Sequence, residues 1–485
     1  MNPALGIPAL SVALFWLPAL VCAGLEFAMP ARKTLRGALT LILPPLVLGG
    51  IALAWPAGDG SSPALTGDGY SRFALSVVWV LVFFALGLRR AEETVRADGS
   101  DTLLLLSAAG ASLLLAAVDL FAVLAGFALT LVPVWGLASI SGTDEGREAA
   151  LKGMLAGILS LVLLALGTAL LLAATGQTTA SGIAAFLHGR PPGAPLPQLL
   201  VPGLALAMAG LGLFAAAVPL HMWFADLADG LPPSASLWLT GGVLAAGLAS
   251  TTRILIGMLS PLSDHAPPDW VELLRGIGLL ALLVANAVAL VQSRLQRLAG
   301  YLAAGQTGFV LLGIACAGEL RGESEAVVGG ILAFLWVHAL TFAALYAGLS
   351  GLAARSPRVG HLEGLARHHP WKAAVIGLAL LCLAGMPLTA GFFSRLALLE
   401  TMVRAGWTGT AVLAALSLGL VLVMSLGLVA TMVMRPAPQS ETRPWHPGPA
   451  LAALIAAAAI LTMGFLPGGL LRIALRAAEG LLAGP

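Results

Sequence analysis

The 485-residue chain is 59% hydrophobic, only 10% charged and has a mean hydropathy of +0.96, so it carries too little polar surface to cover a water-soluble globule. Lipid must solvate it. A formal net charge of +2 gives no electrostatic case for binding nucleic acid.

A bilayer core of roughly 30 Å takes about 20 apolar residues per helix. Stretches of that kind fall at 7–27, 37–55, 71–89, 102–118, 120–141, 150–174, 198–223, 234–258, 271–291, 300–317, 325–353, 371–397, 407–434 and 449–472. The expectation is an all-α integral membrane fold of about fourteen transmembrane helices. The first stretch lacks a basic leader and is followed by Arg32, Lys33 and Arg36, the reverse of a secretory signal's charge order, so it reads as a retained span. Around Asp119 one long apolar run must be divided into two helices.

Basic residues concentrate on the cytoplasmic side of membrane proteins. With the N-terminus outside, sixteen of the 25 fall on the inner face, including Arg36, Arg89, Arg90, Arg96, Lys152, Arg294, Arg297, Arg355 and Arg443. Eight fall outside, among them Arg253, Arg275 and Arg404, and Arg395 is left within a span. The bias favours an even number of spans with both termini outside the inner (cytoplasmic) membrane.

Two places read as helix interruptions: Pro219 to Pro233, lying mostly in a loop, and Gly385-Met386-Pro387-Leu388-Thr389-Ala390-Gly391, buried within its span. Broken helices at corresponding positions of two halves point to an inverted repeat with a pathway near the membrane midplane. Cys22, Cys316 and Cys382 stand singly in apolar runs and read as packing residues. His361, His368, His369 and Glu363 match no strong ligand spacing. With no Gly-rich phosphate loop, haem attachment sequence or cysteine cluster, no cofactor is expected on this chain, and any redox chemistry belongs to a partner.

An ordered set of motifs resembles the antiporter-like, proton-conducting subunits shared by complex I, membrane-bound hydrogenases of the hydrogenase-4 type and Mrp antiporters. It runs from Pro133 in LVPVWGLA and EAALKGM (Glu148 to Met154) through PLHMWFADLADGLPPSAS, with Pro219, His221, Trp223, Asp226, Pro232 and Ser236. GGVLAAGL with Arg253, LQRLAGY (Leu295 to Tyr301), Gly308, His338 and AGMPLTAGFFSR (Ala384 to Arg395) follow in order. The resemblance implies fourteen helices: three N-terminal spans in 1–101, a first five-helix repeat in 102–258, a second in 259–434, and a last span in 435–485. It also implies a role in moving protons, driven by redox chemistry in a NADH-quinone oxidoreductase or hydrogenase assembly, with other membrane subunits and quinone-linked subunits as partners. The chain looks most like the N or M type, because only thirteen residues follow the last apolar stretch.

Several ionisable residues of that family pattern are replaced. The expected glutamate of the fifth span falls at Ala128, and the lysines of the seventh and eighth at Phe214 and Ala245. In the later half, Gln296-Arg297 replaces a basic pair, Gln306 a histidine and Phe342 a lysine. The remaining proton-path candidates are His221, Asp226, His338 and Arg395, with Glu400 as a counter-charge for Arg395. Arginine holds its proton at any relevant pH, so Arg395 is expected to act as a fixed charge and the first half-channel to be lost. Asp229 reads as a helix cap, and Arg253 and Lys152 as snorkelling residues. The alternatives are a non-pumping scaffold or bicarbonate uptake module, and an Mrp-type cation/proton antiporter subunit; the missing acidic residues disfavour the last.

Overall fold

The computed structural model describes residues 6–29, 33–54, 64–92, 99–191, 195–259, 270–352, 357–436 and 445–482. Arg32, Arg96, Arg355 and Arg443, assigned above to the inner face, lie outside them. Helices α1 to α6 run Gly6–Ala28, Lys33–Ala54, Gly69–Arg89, Ser100–Ala116, Leu120–Ser139 and Asp144–Thr175. A short α7 (Ala180–His188) precedes α8 (Leu200–Phe214) and α9 (Met222–Gly230), two parts of one interrupted span. Next come α10 (Pro233–Leu237), a π-helical turn (Trp238–Val243) and α11 (Leu244–Leu259), which form one continuous rod. The second half holds α12 (Trp270–Leu290), α13 (Leu295–Glu319), α14 (Ser324–Leu349), a short α15 (Leu365–His368), the interrupted pair α16 (Pro370–Leu383) and α17 (Ala390–Arg404), and α18 (Thr408–Met434). α19 (Pro447–Phe465) and α20 (Pro467–Leu482) follow.

Among the described residues, nine helices are long and apolar enough to cross a membrane, and five shorter apolar helices fall on the remaining apolar stretches of the sequence. The divide at Asp119 is made by a cap: its carboxylate accepts from the amides of Phe121 (2.8 Å) and Ala122 (3.4 Å) and from the Thr178 hydroxyl. That satisfies amides which the first turn of α5 cannot bond internally.

Polar contacts between elements test the alternation of crossings. If each span reverses direction, the end of α3 and the start of α4 share a side, and Arg89 and Arg90 there reach Asp101 at 2.6 and 3.2 Å. The start of α3 and the end of α11 share the other side, where Asp68 holds Arg253 at 2.8 Å. Arg404–Glu323 and Arg435–Glu363, each at 2.8 Å, also join ends of like side.

The two halves repeat one design. In the first, three helices (α4, α5, α6), a short element (α7), an interrupted span (α8, α9) and a straight one (α10–α11) follow in order; in the second, α12, α13, α14, α15, α16, α17 and α18 do the same. An isolated backbone bridge recurs too: Asp119 pairs with Thr179 just before α5 and α7, and Arg294 with Arg358 just before α13 and the turn leading to α15. Each repeat begins with a glycine crossing. A Cβ on Gly110 or Gly126 would strike the facing backbone of α5 or α4, and one on Gly278 or Gly308 that of α13 or α12, the small-residue approach that packs membrane helices.

The first interruption differs from its sequence reading. It occupies Ala215–His221, inside the span, and α9 then resumes; Leu231 to Pro233 is merely the corner into α10. Ala216 (φ 54°) in this break and Gly385 and Leu388 (φ 73° and 71°) in the other take left-handed backbone, where a side-chain-bearing residue costs on the order of 1–3 kcal/mol. Both breaks also contain a proline, which cannot donate to the helical ladder. The last apolar stretch, 449–472, is likewise divided: α19 ends at Phe465, and α20 turns back along α3, with Gly480 against Gly69.

Arg253 is not a snorkelling residue. It is 4% exposed, makes two bonds to Asp68 (2.8 and 2.9 Å), one to the Ser71 hydroxyl (2.8 Å), and lies 4.7 Å from the centre of the Tyr70 ring. Burial raises the Asp68 carboxyl, but the Arg253 charge and hydrogen bonds outweigh it and hold the group below its ordinary range. Asp68→Asn is expected to cost about 3–5 kcal/mol by leaving a buried guanidinium unpaired. Because the folded-state value is depressed, the advantage of wild type over Asp68→Asn should be full above the ordinary aspartate range and shrink as pH falls through the folded value; thermal unfolding in detergent at several pH values measures this. Gly308→Val, which drives a side chain into α12, should destabilise by about 1–3 kcal/mol in the same assay.

Candidate proton path

The polar interior is built where helix geometry loosens. In an α-helix the Leu244 amide would bond the Thr240 carbonyl; in the π-helical turn it goes to Leu239 instead, freeing Thr240 O as π-turns do. His338 of α14 uses that oxygen: its Nε2 lies 2.8 Å away and donates to it. The ring then presents Nδ1 as an acceptor, buried and without a hydrogen-bond partner, and packs on Phe342 with centroids 4.6 Å apart.

One turn before His338 on the same face, Phe334 lies 5.4 Å from the guanidinium of Arg395 on α17. Arg395 is 3% exposed. Its Nη2 donates to Gln306 Oε1 (2.7 Å) and its Nη1 to the Gly391 carbonyl (3.1 Å), while Nε is buried and unpartnered. Glu400 is not its counter-charge: that carboxylate is exposed and takes Arg404 at 2.5 Å, because five residues along a helix point it to a different face. Among the described residues no carboxylate forms an ion pair with Arg395.

From His338 a line of polar groups leads toward the end of the bundle that carries Asp226. The Thr240 hydroxyl donates to Ser236 O (2.7 Å), the Ser236 hydroxyl meets Tyr346 OH (2.7 Å) and donates to Ala228 O (2.8 Å), and Gln296 Nε2 donates to Leu231 O (3.0 Å). Gln296 Oε1 is another buried, unpartnered atom. At the mouth, Asp226 binds Lys152 (3.0 Å) and Arg297 (2.8 Å), Glu148 binds Lys152 (2.8 Å), and Asp229 binds Arg294 (2.8 Å). Lys152 is thus paired rather than snorkelling, and Asp229 ties α9 to Arg294 at the start of α13. The Asp229 partner holds the Arg294 guanidinium above its usual value.

His221 sits in the first break, 4% exposed, with Nδ1 3.3 Å from Pro219 O, Nε2 unpartnered, and its ring 5.7 Å from that of Tyr301. Among the described residues no hydrogen bond or ion pair links the His221–Asp226 segment directly to His338 or Arg395. Gln306 and Phe342 had stood out only as departures from the family pattern. Gln296 likewise stood out only as a departure and Ser236 only as part of the PLHMWFADLADGLPPSAS motif, while Thr240 and Tyr346 gave no signal at all, since neutral polar residues in apolar spans usually bond their own helix.

The centre of the first repeat is packed with carbon. Phe214, at the expected lysine position, meets Phe127 edge to face with centroids 3.8 Å apart, and a Cβ on Gly247 would strike the Phe214 ring. Ala245, at the other lysine position, is buried.

A helical membrane protein with two such repeats, each interrupted at its fourth span, is of the antiporter-like class. Residues 117–422 match the family described as NADH:quinone oxidoreductase/Mrp antiporter, TM, and the chain belongs to it. It is 29% identical over 456 residues to NADH-quinone oxidoreductase subunit N 1 of Sorangium cellulosum, covering 91% of this chain and 89% of that one. It is 31% identical over 446 residues to subunit N of Gemmatimonas aurantiaca, covering 89% and 84%. Its fold is similar to a chain in respiratory complex I from Thermus thermophilus with bound aureothin, at a TM-score of 0.80 and 26% identity over 96% of this chain and 99% of that chain. It also matches a chain of the Mrp complex from Dietzia sp. DQ12-45-1b, at a TM-score of 0.85 and 21% identity over 97% of each chain, a likeness of fold alone.

Asp226→Asn should cost no more than about 1 kcal/mol in the unfolding assay, far less than Asp68→Asn, because its partners Lys152 and Arg297 stay 47% and 40% exposed and exposed ion pairs contribute little.

Proposed function

We propose that this chain is the N-type antiporter-like subunit of a complex I-like NADH-quinone oxidoreductase, crossing the inner membrane fourteen times with both termini outside, and that it moves protons between His338 of its second repeat and the Asp226 mouth of the first along the Thr240–Ser236 line that joins them. The observation that carries the reading is the contrast between the two repeats. One is closed at its centre by Phe127 and Phe214. The other keeps His338, Gln306 and Arg395 buried among hydrogen-bonding groups. Such groups are costly in a membrane and mark pathways.

In this mechanism His338 is the group that accepts and releases a proton at Nδ1, with Nε2–H fixed on Thr240 O. Ordered water bridging the unpartnered atoms of His338, Gln296 and Arg395 carries protons toward the Asp226 mouth, since buried polar atoms of this kind are where internal water resides. Arg395 keeps its own proton and sets the local potential. The redox energy comes from partner subunits carrying the quinone chemistry, and the subunit N relatives support that assignment. Same-side pairing of the helix ends and the excess of basic residues on one side support the topology.

Two measurements test the proposal. Native purification of the tagged chain should bring down the other membrane subunits of a quinone reductase; recovery of the chain alone would overturn the assembly. In vesicles containing the assembled complex, His338→Ala should lower redox-driven proton transfer at least tenfold while leaving assembly intact, and Phe127→Ala should have little effect. Equal transport by His338→Ala and wild type would make the chain a non-pumping scaffold.

A further inference from the structure

The rod formed by α10, the π-helical turn and α11 lies antiparallel to α3, and three contacts match the two in order. At one end Asp68 holds Arg253 at 2.8 Å. At the π-helical turn a Cβ on Gly241 would touch Leu81 Cδ1 at 3.1 Å. At the other end Glu92, just beyond α3, accepts from the backbone amide and the hydroxyl of Ser234, each at 2.7 Å. Glu92 is itself anchored: its amide bonds the Arg89 carbonyl, and Arg89 is held by Asp101 at 2.6 Å.

The start of the rod has no cap of its own. The side chain of its N-cap residue, Pro232, makes no capping bond, and Pro233 follows at its first position without an amide hydrogen. Ser234 therefore carries the first amide that needs an acceptor, and a carboxylate 142 positions away in the chain supplies it. Negative charge there also suits the positive end of the helix.

This grip falls just before Ser236 and Thr240, both of which line the proton path. A π-helical turn holds more residues than an α-helical one. If this turn relaxed to α, the Leu244 amide would reclaim the Thr240 carbonyl, and the segment before it would shift by about 1.5 Å and rotate by about 100°. His338 would lose its acceptor, and the Ser236 hydroxyl would leave Tyr346. The Asp68–Arg253 pair holds the rod beyond the turn, and Trp238 Nε1, donating to the Ser107 hydroxyl at 2.8 Å, holds it within the turn. The carboxylate that holds it before the turn is Glu92.

Resting on the proton path proposed for this chain, we infer that Glu92 is a positioning residue. By pinning Ser234 it keeps the π-helical turn in the register that offers Thr240 O to His338 and the Ser236 hydroxyl to Tyr346. Its bonds are to Ser234, and it acts on His338 through the rod.

The test measures redox-driven proton transfer in vesicles, normalised to the amount of assembled complex. Glu92→Ala should lower it roughly fivefold, within the range by which loss of a helix cap shifts an equilibrium. It should also move the pH profile, because His338 Nε2–H is no longer fixed, while Arg395, which reaches the same face of α14 at Phe334, is left in place. Glu92→Gln, whose carboxamide still accepts from the Ser234 amide, should restore most of the transport and the wild-type profile. Ser234→Ala, which removes one of the two bonds, should fall between Glu92→Ala and wild type. A purely structural role would lower the yield of complex and leave the rate per complex and the pH profile unchanged; that result in Glu92→Ala, or in Ser234→Ala should Glu92→Ala fail to assemble, overturns the inference. So does a Glu92→Gln variant as impaired as Glu92→Ala. His338→Ala separates the two readings: undiminished transport there sinks the proton path itself, whereas transport lost there but unchanged in Glu92→Ala removes only the positioning role.

Discussion

The absence of water from the bilayer interior is the constraint on which this structure depends. Each backbone or side-chain polar group that enters must find its partner within the protein. The helices satisfy most of their own backbone, and inside the bundle the π-helical turn and the two breaks are places where carbonyls and amides are released from the ladder. His338 bonds the carbonyl that the π-helical turn releases, and Arg395 reaches back to Gly391 beside a break. Polar side chains and loosened backbone thus occur together for one physical reason.

The same constraint separates the two repeats. They share element order, bridging contacts and glycine crossings, so the scaffold is preserved on both sides. Their centres differ in chemistry. Phe127 and Phe214 fill the first with carbon, which needs no partner, and the second holds a guanidinium and a carboxamide that bond each other and an imidazole that bonds the Thr240 carbonyl. A fold fixed by small-residue packing tolerates this divergence, because the crossings at Gly110, Gly126, Gly278 and Gly308 are set by backbone approach and not by what occupies the pathway.

Charge pairing follows depth. At the rims, ion pairs such as Asp226 with Lys152 and Arg297 form within reach of solvent, and their partners share sides as alternating spans require. The rim pair of Arg253 with Asp68 is buried and ties the N-terminal spans to the first repeat through α3 and α11. Deeper in, Arg395 has no such partner among the described residues and donates instead to Gln306 and the Gly391 carbonyl.

Much of this was legible in the sequence for reasons of scale. Hydrophobic length fixes a crossing, because about twenty residues must match a bilayer's thickness, and the fourteen apolar stretches, the divide at Asp119 and the break near Gly385 follow from local composition. His338 and Arg395 stood out because ionisable side chains inside an apolar run are rare. Only the tertiary structure decided what those residues touch. The Arg253–Asp68 pair spans 185 positions and His338–Thr240 98, so no local pattern announces either; Glu400 was a plausible partner by proximity in sequence and is excluded by the direction its helix turns. The extent of the first break, the π-helical turn that frees Thr240 O and the aromatic closure of the first repeat depend on how neighbouring helices pack, and packing between distant segments is information that no single stretch of residues contains.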